Sequence, residues 1–85
     1  MNLVFVPVAW EDYQFWVETD QKTLKKLNKL LKEVKRDPLG GYGKPEKLKH
    51  KYSGCYSRRI TREHRLIYTV QNDQVCILKC RHHYD

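Results

Sequence analysis

Residues 57–80 have the sequence SRRITREHRLIYTVQNDQVCILKC, and this stretch decides the fold class. Short segments rich in Ile, Val, Tyr and Thr are separated here by polar turn residues, a pattern typical of antiparallel hairpins. The predicted strands are residues 57–61, 65–70 and 75–80. We expect Arg62 and Glu63 to form a tight turn between the first two strands, and residues 71–73 to form a second turn before the last strand.

The residues before this stretch have helical periodicity after a short opening strand. That strand lies around Leu3 and Phe5 and is expected to end at Pro7, because proline cannot donate a ladder hydrogen bond. The first helix carries large apolar residues at helical spacing: Trp10, Tyr13, Trp16 and Val17. Asp20 is suited to cap a second helix, which ends before Pro38. The apolar stripe of this second helix consists of Leu24, Leu27, Leu30, Leu31 and Val34.

These elements predict an α+β fold. Its order is a strand, a two-helix hairpin, and then an antiparallel sheet of three to four strands. Helices packed on one face of such a sheet leave the other face free for a partner. A chain of 85 residues has room for one hydrophobic core, so we expect a single domain over residues 1–85.

The composition points to an anionic partner in a reducing compartment. The chain has 17 Lys and Arg against 10 Asp and Glu, a net charge of +7, which favours nucleic acid as the partner. Three cysteines without the spacing of a disulfide framework indicate a reducing environment. The apolar N-terminal run is too short for a signal peptide or a spanning helix. We therefore expect the protein in the cytoplasm.

The positive charge is concentrated between Lys44 and Arg65, a stretch with eight cationic residues and only two carboxylates. The cations are Lys44, Lys47, Lys49, Lys51, Arg58, Arg59, Arg62 and Arg65, and the carboxylates are Glu46 and Glu63. Four tyrosines are interleaved with or flank them: Tyr42, Tyr52, Tyr56 and Tyr68. Cations that hold phosphates beside rings that stack on bases suit RNA. The alternative, that the tyrosines fill the core while the cations are merely solvated, stays open at this point.

Arg59 and Arg65 are predicted cross-strand neighbours on one sheet face, because the turn between them is centred near Arg62. Two cations side by side repel each other. A phosphate held between two guanidinium groups would explain the arrangement. The alternative is that each arginine points into water.

A zinc site deserves consideration because Cys76, Cys80, His82 and His83 are close in sequence. Cys76 and Cys80 are four residues apart on a predicted strand, and hence roughly 13 Å apart along one face. That separation is too large for a shared tetrahedral ion. We expect both cysteines to be small core residues on the side of the sheet that faces the helices, and we predict no metal and no cofactor.

The chain resembles the YoeB/Txe toxins of the RelE superfamily along nearly its whole length. The matching segments are residues 43–50 (GKPEKLKH), 53–54 (SG), 56–61 (YSRRIT), 63–68 (EHRLIY) and 80–84 (CRHHY), together with an N-terminal WEDY at residues 10–13, Trp16 and residues 18–20 (ETD). The resemblance implies a microbial RNase fold and an endonuclease that cuts mRNA at the decoding site of the small ribosomal subunit. It also implies a YefM-like antitoxin as partner. Whether two copies associate is left open.

The resemblance also implies a role for each matching site residue. Glu46 matches the general base, Arg65 the phosphate-stabilising arginine, His83 the general acid and Tyr84 the C-terminal tyrosine of the family. The resemblance thus implies that these four residues form the catalytic site. Basic residues that contact RNA are matched by Lys49 and Arg59, and we expect the same role for three neighbours in the basic region: Lys44, His50 and Arg58. The chain departs from the family pattern by Asp85 after the tyrosine and by Cys55 where an apolar residue is expected.

The chemistry of RNA cleavage gives these residue types a use. The 2′-hydroxyl attacks the neighbouring phosphorus once a base such as Glu46 takes its proton, and an acid such as His83 protonates the leaving oxygen. A cation such as Arg65 stabilises the charge that develops on the phosphate. A module that binds RNA without cutting it is the alternative. Such a module has little use for Glu46, because a carboxylate inside a basic surface repels phosphate.

Overall fold

A computed structural model of the chain describes residues 1–41 and 45–82. Strand β1 (Asn2–Phe5) precedes helices α1 (Pro7–Thr19) and α2 (Gln21–Arg36). Four strands follow: β2 (Glu46–Lys47), β3 (Tyr56–Arg59), β4 (Arg65–Gln71) and β5 (Gln74–Lys79). A single 3-10 turn, His50–Tyr52, lies between β2 and β3. This is the predicted α+β order.

The five strands form one sheet in the order β1-β5-β4-β3-β2. The pairs among β2, β3, β4 and β5 are antiparallel, as predicted. β1 adds a parallel edge to β5, with Leu3 opposite Val75 and Phe5 opposite Ile77. The sheet is therefore mixed. The two helices carry the chain from β1 to the opposite edge at β2, and the antiparallel strands then bring it back to β5 beside β1.

Helix α2 begins and ends where its sequence predicts. The Asp20 carboxylate accepts hydrogen bonds from the backbone N–H of Thr23 at 3.0 Å and from its hydroxyl at 2.8 Å. The backbone bond, the larger cause, and the hydroxyl bond both lower the pKa of Asp20. Lys35 and Arg36 lie in the last turn, where cations suit the helix dipole.

The core lies between the helices and one face of the sheet. Alternation along the strands turns Leu66 and Tyr68 of β4 and Val75 and Ile77 of β5 toward the helices, and all four are fully buried. Helix α2 contributes a buried set to this core: Leu27, Leu30, Leu31 and Val34. The helices therefore cover one sheet face. The opposite face of the sheet, called the open face below, carries the alternate residues of the strands, such as Ser57 and Arg59 of β3 and Arg65 and Ile67 of β4.

Neither helix in the described part of the chain combines the length and the apolar character needed to cross a membrane.

Candidate active site

One row of side chains crosses the open face from β2 to β5. Glu46 lies opposite Ser57, Ser57 opposite Ile67, and Ile67 opposite Lys79. Ser57 and Ile67 are 2% and 0% exposed, so they form a buried floor, whereas Glu46 is exposed at one end of the row. The short strand β2 thus carries the predicted base at the edge of the sheet, with its carboxylate on the open face.

Glu46 also lines a shallow cleft with two of the predicted RNA-binding residues. The cleft runs from β2 into the 3-10 turn, and its lining consists of residues 46–50 and Tyr52. Lys49 and His50 are exposed within it. His50 has a φ of 59°, a left-handed conformation that is uncommon for a side-chain-bearing residue. The turn therefore holds the His50 backbone in a costly conformation within the cleft that Glu46 also lines.

Arg59 and Arg65 are direct cross-strand neighbours on the open face, as predicted. Arg59 is exposed, whereas Arg65 is half-buried. The Nη1 of Arg65 donates to the carbonyl oxygens of Thr61 at 2.8 Å and His64 at 3.1 Å. A further bond of 3.3 Å reaches the Arg62 carbonyl. These turn carbonyls offset part of the repulsion between the two guanidinium groups and fix the direction of Arg65.

The arginine pair lies close to Glu46. Arg59 is two residues along β3 from Ser57, the residue opposite Glu46. Strand spacing and rise separate the Cα atoms of Glu46 and Arg65 by about 12 Å. Long side chains on the same face span much of that distance, which leaves room for one phosphodiester between them.

The prediction that Arg58 contacts RNA is wrong. Its side chain points toward the helices and is 1% exposed. Nε donates to the Tyr68 hydroxyl at 3.1 Å, and Nη2 donates to the carbonyls of Asp37 and Gly40, each at 2.7 Å. The Tyr68 hydroxyl in turn donates to the Pro38 carbonyl. Arg58 therefore holds the segment that follows α2, and the guanidinium is bonded inside the protein.

Two of the tyrosines belong to the core. Tyr68 is fully buried, and Tyr56 is half-buried and stacks on it with ring centroids 5.9 Å apart. Burial is the main cause that raises the pKa of Tyr68, opposed by the Arg58 bond. Tyr52 differs, because it lines the cleft with Glu46 and has Lys51 Nζ 5.4 Å from its ring centroid. Tyr52 therefore remains a candidate for stacking on a base, whereas Tyr56 and Tyr68 are core residues.

The two cysteines of the last strand point to different sides, so one prediction about them is wrong. Cys80 is buried against the helices, where its Sγ lies 3.5 Å from the Ala9 carbonyl oxygen. Cys76 is half-buried between Val75 and Ile77, and alternation puts it on the open face. The Ile67–Tyr68 irregularity in the β4–β5 register separates the two positions. No group of three metal-binding side chains occurs within residues 1–41 and 45–82.

The end of β5 is fastened to α1 by Asp12 and Trp16. Asp12 accepts a hydrogen bond from the Cys80 backbone N–H at 3.0 Å, and the Trp16 indole donates to the Cys80 carbonyl at 2.8 Å. Two residues on, the His82 carbonyl accepts from the Arg65 backbone N–H at 2.9 Å. Asp12 and Trp16 lie 68 and 64 residues before Cys80 in the chain. No local sequence signal reveals contacts between residues so far apart.

Five residues named in the sequence-based predictions lie outside the described part of the chain: Tyr42, Lys44, His83, Tyr84 and Asp85. His83 directly follows the anchored residue His82. Its predicted role as a general acid therefore rests on the family resemblance.

The chain is similar to known proteins over nearly its whole length. Residues 5–84 match the family model described as the YoeB-like toxin of bacterial type II toxin-antitoxin systems. The chain is 51% identical to toxin YoeB of Escherichia coli strain K12, over 99% of this chain and 100% of that protein. The YoeB/ParE toxin structure from Agrobacterium tumefaciens has a TM-score of 0.94 and 44% identity, covering 99% and 100% of the two chains. The YoeB-YefM complex from Staphylococcus aureus matches with a TM-score of 0.89 and 48% identity, covering 99% and 98%.

Proposed function

This chain belongs to the YoeB-like toxin family of bacterial type II toxin-antitoxin systems, and we propose that it is an endoribonuclease that cuts messenger RNA on the ribosome. Cleavage in the cytoplasm would stop translation. The observation that supports this proposal best is the shared open face of Glu46, Arg59 and Arg65. A base and two cations on one face match what cleavage by the 2′-hydroxyl needs.

The proposed mechanism uses Glu46 as the base. Its carboxylate takes the proton of the 2′-hydroxyl, whose oxygen then attacks the adjacent phosphorus. The bond from phosphorus to the 5′-oxygen breaks, and His83 gives that oxygen a proton. The products are a 2′,3′-cyclic phosphate and a 5′-hydroxyl, and the transferred protons balance between the base and the acid.

Arg65 is proposed to stabilise the negative charge that develops on the non-bridging oxygens. Its Nη1 is bonded to turn carbonyls, so the guanidinium enters the reaction with its direction already set. Such preorganisation costs little rearrangement at the moment of reaction. Arg59, Lys49 and His50 are proposed to hold phosphates and neighbouring nucleotides, as is Lys44 because of its place in the basic region. Tyr84 is proposed as a further catalytic residue on the strength of the family resemblance.

We expect the ribosome to supply substrate positioning. The cleft beside Glu46 is shallow and exposed, so the domain alone imposes little geometry on a flexible RNA. A ribosome that holds the message in a reactive conformation would provide the orientation that accelerates the reaction.

An acidic antitoxin similar to YefM is the proposed inhibitor. A cationic face suits a partly disordered, acidic segment that folds on binding and covers the catalytic residues. The net charge of +7 predicts that such a complex weakens as salt rises. Equal affinity at low and high salt would point to an apolar inhibitory contact elsewhere.

The test of the proposed function is cleavage of one message in two states. Purified protein is added to naked mRNA and to the same mRNA on initiated ribosomes, and cuts are mapped by primer extension. Faster cutting on the ribosome supports the proposal, and equal rates would indicate an autonomous nuclease. Binding to ribosomes without any cut would favour the non-catalytic RNA-binding module.

The chemistry of the ends tests the mechanism separately. A 2′,3′-cyclic phosphate, formed when a chelator is present at a level that leaves ribosomes intact, is the expected product. A 5′-phosphate product, with activity restored only by a divalent cation, would contradict acid-base attack by the 2′-hydroxyl.

A further inference from the structure

The backbone of His82 is held on both sides by two consecutive residues: His64, which ends the β3–β4 turn, and Arg65, which begins β4. Its N–H donates to the Nδ1 atom of His64 at 2.7 Å, and its carbonyl accepts from the Arg65 backbone N–H at 2.9 Å. His82 has a φ of 65°, a left-handed conformation that ordinary residues adopt at a cost. The two hydrogen bonds keep the chain in that conformation.

His64 is itself fixed by packing. Its ring meets the Trp16 indole edge to face, with centroids 4.7 Å apart. Trp16 is 4% exposed and donates to the Cys80 carbonyl. The His64 ring therefore packs against a residue of the core. The His64 backbone N–H donates to the Thr61 hydroxyl at 3.2 Å. The acceptor on the ring therefore has little freedom to move.

We propose that His64 is a positioning residue for the chain end that carries His83: its Nδ1 accepts the His82 N–H and so fixes the residue that directly precedes His83. This inference rests on the proposed function, in which His83 donates the proton to the leaving oxygen. Arg65 holds the other side of the same residue. His82 is thereby fixed relative to the proposed phosphate-binding cation through two hydrogen bonds.

The contact requires one protonation state of His64. An imidazole nitrogen accepts a hydrogen bond only when it carries no proton, so the proton of neutral His64 lies on Nε2. Burial is the main cause that lowers the pKa of His64, and the charges of His82 and Arg81 lower it further. Glu63 and Asp20 act in the opposite direction. The neutral, accepting form is thus favoured at neutral pH.

Two substitutions distinguish the effect of the Nδ1 acceptor from the effect of ring packing against Trp16. His64→Phe keeps a ring against Trp16 and removes the acceptor, whereas His64→Asn loses most of the ring and keeps an oxygen near the position of Nδ1. We expect His64→Phe to accelerate hydrogen exchange of the His82 amide at least tenfold. The single-turnover cleavage rate on saturating ribosomes should fall about 10- to 100-fold, because small misplacements of a reacting group are costly. Ribosome affinity should not change.

His64→Asn should restore much of the amide protection and of the rate, although it packs less well than Phe. If His64 acted only through the packing of its ring, His64→Phe would instead have the amide protection and cleavage rate closer to those of the parent. Unchanged His82 exchange in a folded His64→Phe protein overturns the anchor. Accelerated exchange with a parental cleavage rate overturns the positioning role.

A measurement on the parent chain avoids any folding defect. Nitrogen-15 NMR of the imidazole should find the proton of His64 on Nε2 at neutral pH and a coupling between Nδ1 and the His82 N–H. A proton on Nδ1 overturns the proposal. If the parent protein does not cut ribosome-bound mRNA at all, the proposed function fails, while the NMR and exchange results still decide whether His64 anchors His82.

Discussion

Arg59 and Arg65 lie opposite each other on the open face, but they differ in burial and in hydrogen bonding. Arg65 donates to the Thr61 carbonyl at 2.8 Å and is half-buried, whereas Arg59 is exposed. Like charges directly opposite each other on a sheet destabilise the pair. The two arginines therefore have opposite effects on stability, although both are proposed to contact phosphate.

The first prediction follows from this difference. Arg59→Ala should leave the free energy of unfolding unchanged or raise it by up to about 0.5 kcal/mol, since it removes repulsion. Arg65→Ala should lower it by about 0.5–1.5 kcal/mol, because the half-buried carbonyls of Thr61 and His64 lose their donor. Urea unfolding measures both values. Equal losses in the two variants would show that the turn carbonyls do not depend on Arg65.

A second prediction concerns the buried guanidinium of Arg58. Arg58→Ala should destabilise the protein by about 3–5 kcal/mol, because several polar partners are left buried without it. Tyr68→Phe removes a single hydroxyl from the same network and should cost about 1–2 kcal/mol. A double-mutant cycle of unfolding free energies measures their coupling.

The control for Arg58 is Lys51→Ala, a cation in the 3-10 turn whose side chain is exposed. This variant should keep parental stability within about 0.5 kcal/mol. If Arg58→Ala instead unfolds like the parent and only binds RNA less tightly, its interior position is wrong.

The fate of Arg58 shows what the sequence could and could not reveal. The antiparallel pairing of β3, β4 and β5, the helix cap at Asp20 and the Arg59–Arg65 pair were predictable, because periodicity and turn residues act locally. Arg58 had a signal too: strict alternation puts it on the same face as Tyr56 and Ile60, both apolar. Charge made it look like a surface residue, although its partners, the carbonyls after α2, could be found only in three dimensions.

The parallel pairing of β1 and the anchoring of the chain end escaped prediction for the same reason. Asp12 and Trp16 hold Cys80 from 68 and 64 residues away. Helical spacing identified Trp16 as a core residue, but spacing along one helix says nothing about which strand end it meets. Cys76 was assigned to the wrong face because the register irregularity beside Tyr68 gives no sequence signal.

A third prediction concerns Cys80. Burial is the main cause that raises the pKa of its thiol to about 12, and the Asp12 charge adds to it. The thiolate fraction at neutral pH is then about 10³-fold lower than for an ordinary thiol. Iodoacetamide should label Cys80 in urea but not in the native protein, as read by mass spectrometry. Rapid native labelling of Cys80 would contradict its burial.

The fourth prediction is a pH dependence of stability that originates at His64. Its native pKa is lowered, mainly by burial, whereas in the unfolded chain it has an ordinary pKa of about 6.5. The unfolded state therefore takes up the proton first as the pH falls. The stabilising contribution is complete above about pH 6.5 and is lost as the pH falls through the native pKa.

Urea unfolding at a series of pH values checks this sign. Because other histidines also titrate, His64→Asn serves as the reference, and the difference between the parent and this variant should shrink as the solution becomes acidic. A difference that stays constant with pH would assign the stability loss to another group.

The last prediction separates proton transfer from phosphate attraction at the cleft beside β2. Glu46 and Lys49 line the same cleft and are both exposed, so they form a matched pair of opposite charge. Glu46→Gln removes a negative charge from a basic surface, and we expect it to bind ribosome-bound mRNA at least as tightly as the parent. Because a positioned base acts only as the phosphorus is attacked, its loss should slow single-turnover cleavage by about 10²–10⁴-fold.

Lys49→Ala should behave in the opposite way. A phosphate contact attracts the bound substrate as well as the transition state, so this variant should lose affinity and salt sensitivity while keeping most of its rate on saturating ribosomes. Single-turnover cleavage and equilibrium binding, measured on the same preparations, give both quantities. If Glu46→Gln keeps the parental rate and loses only affinity, the carboxylate is not the base. The open face would then be a binding surface without catalysis.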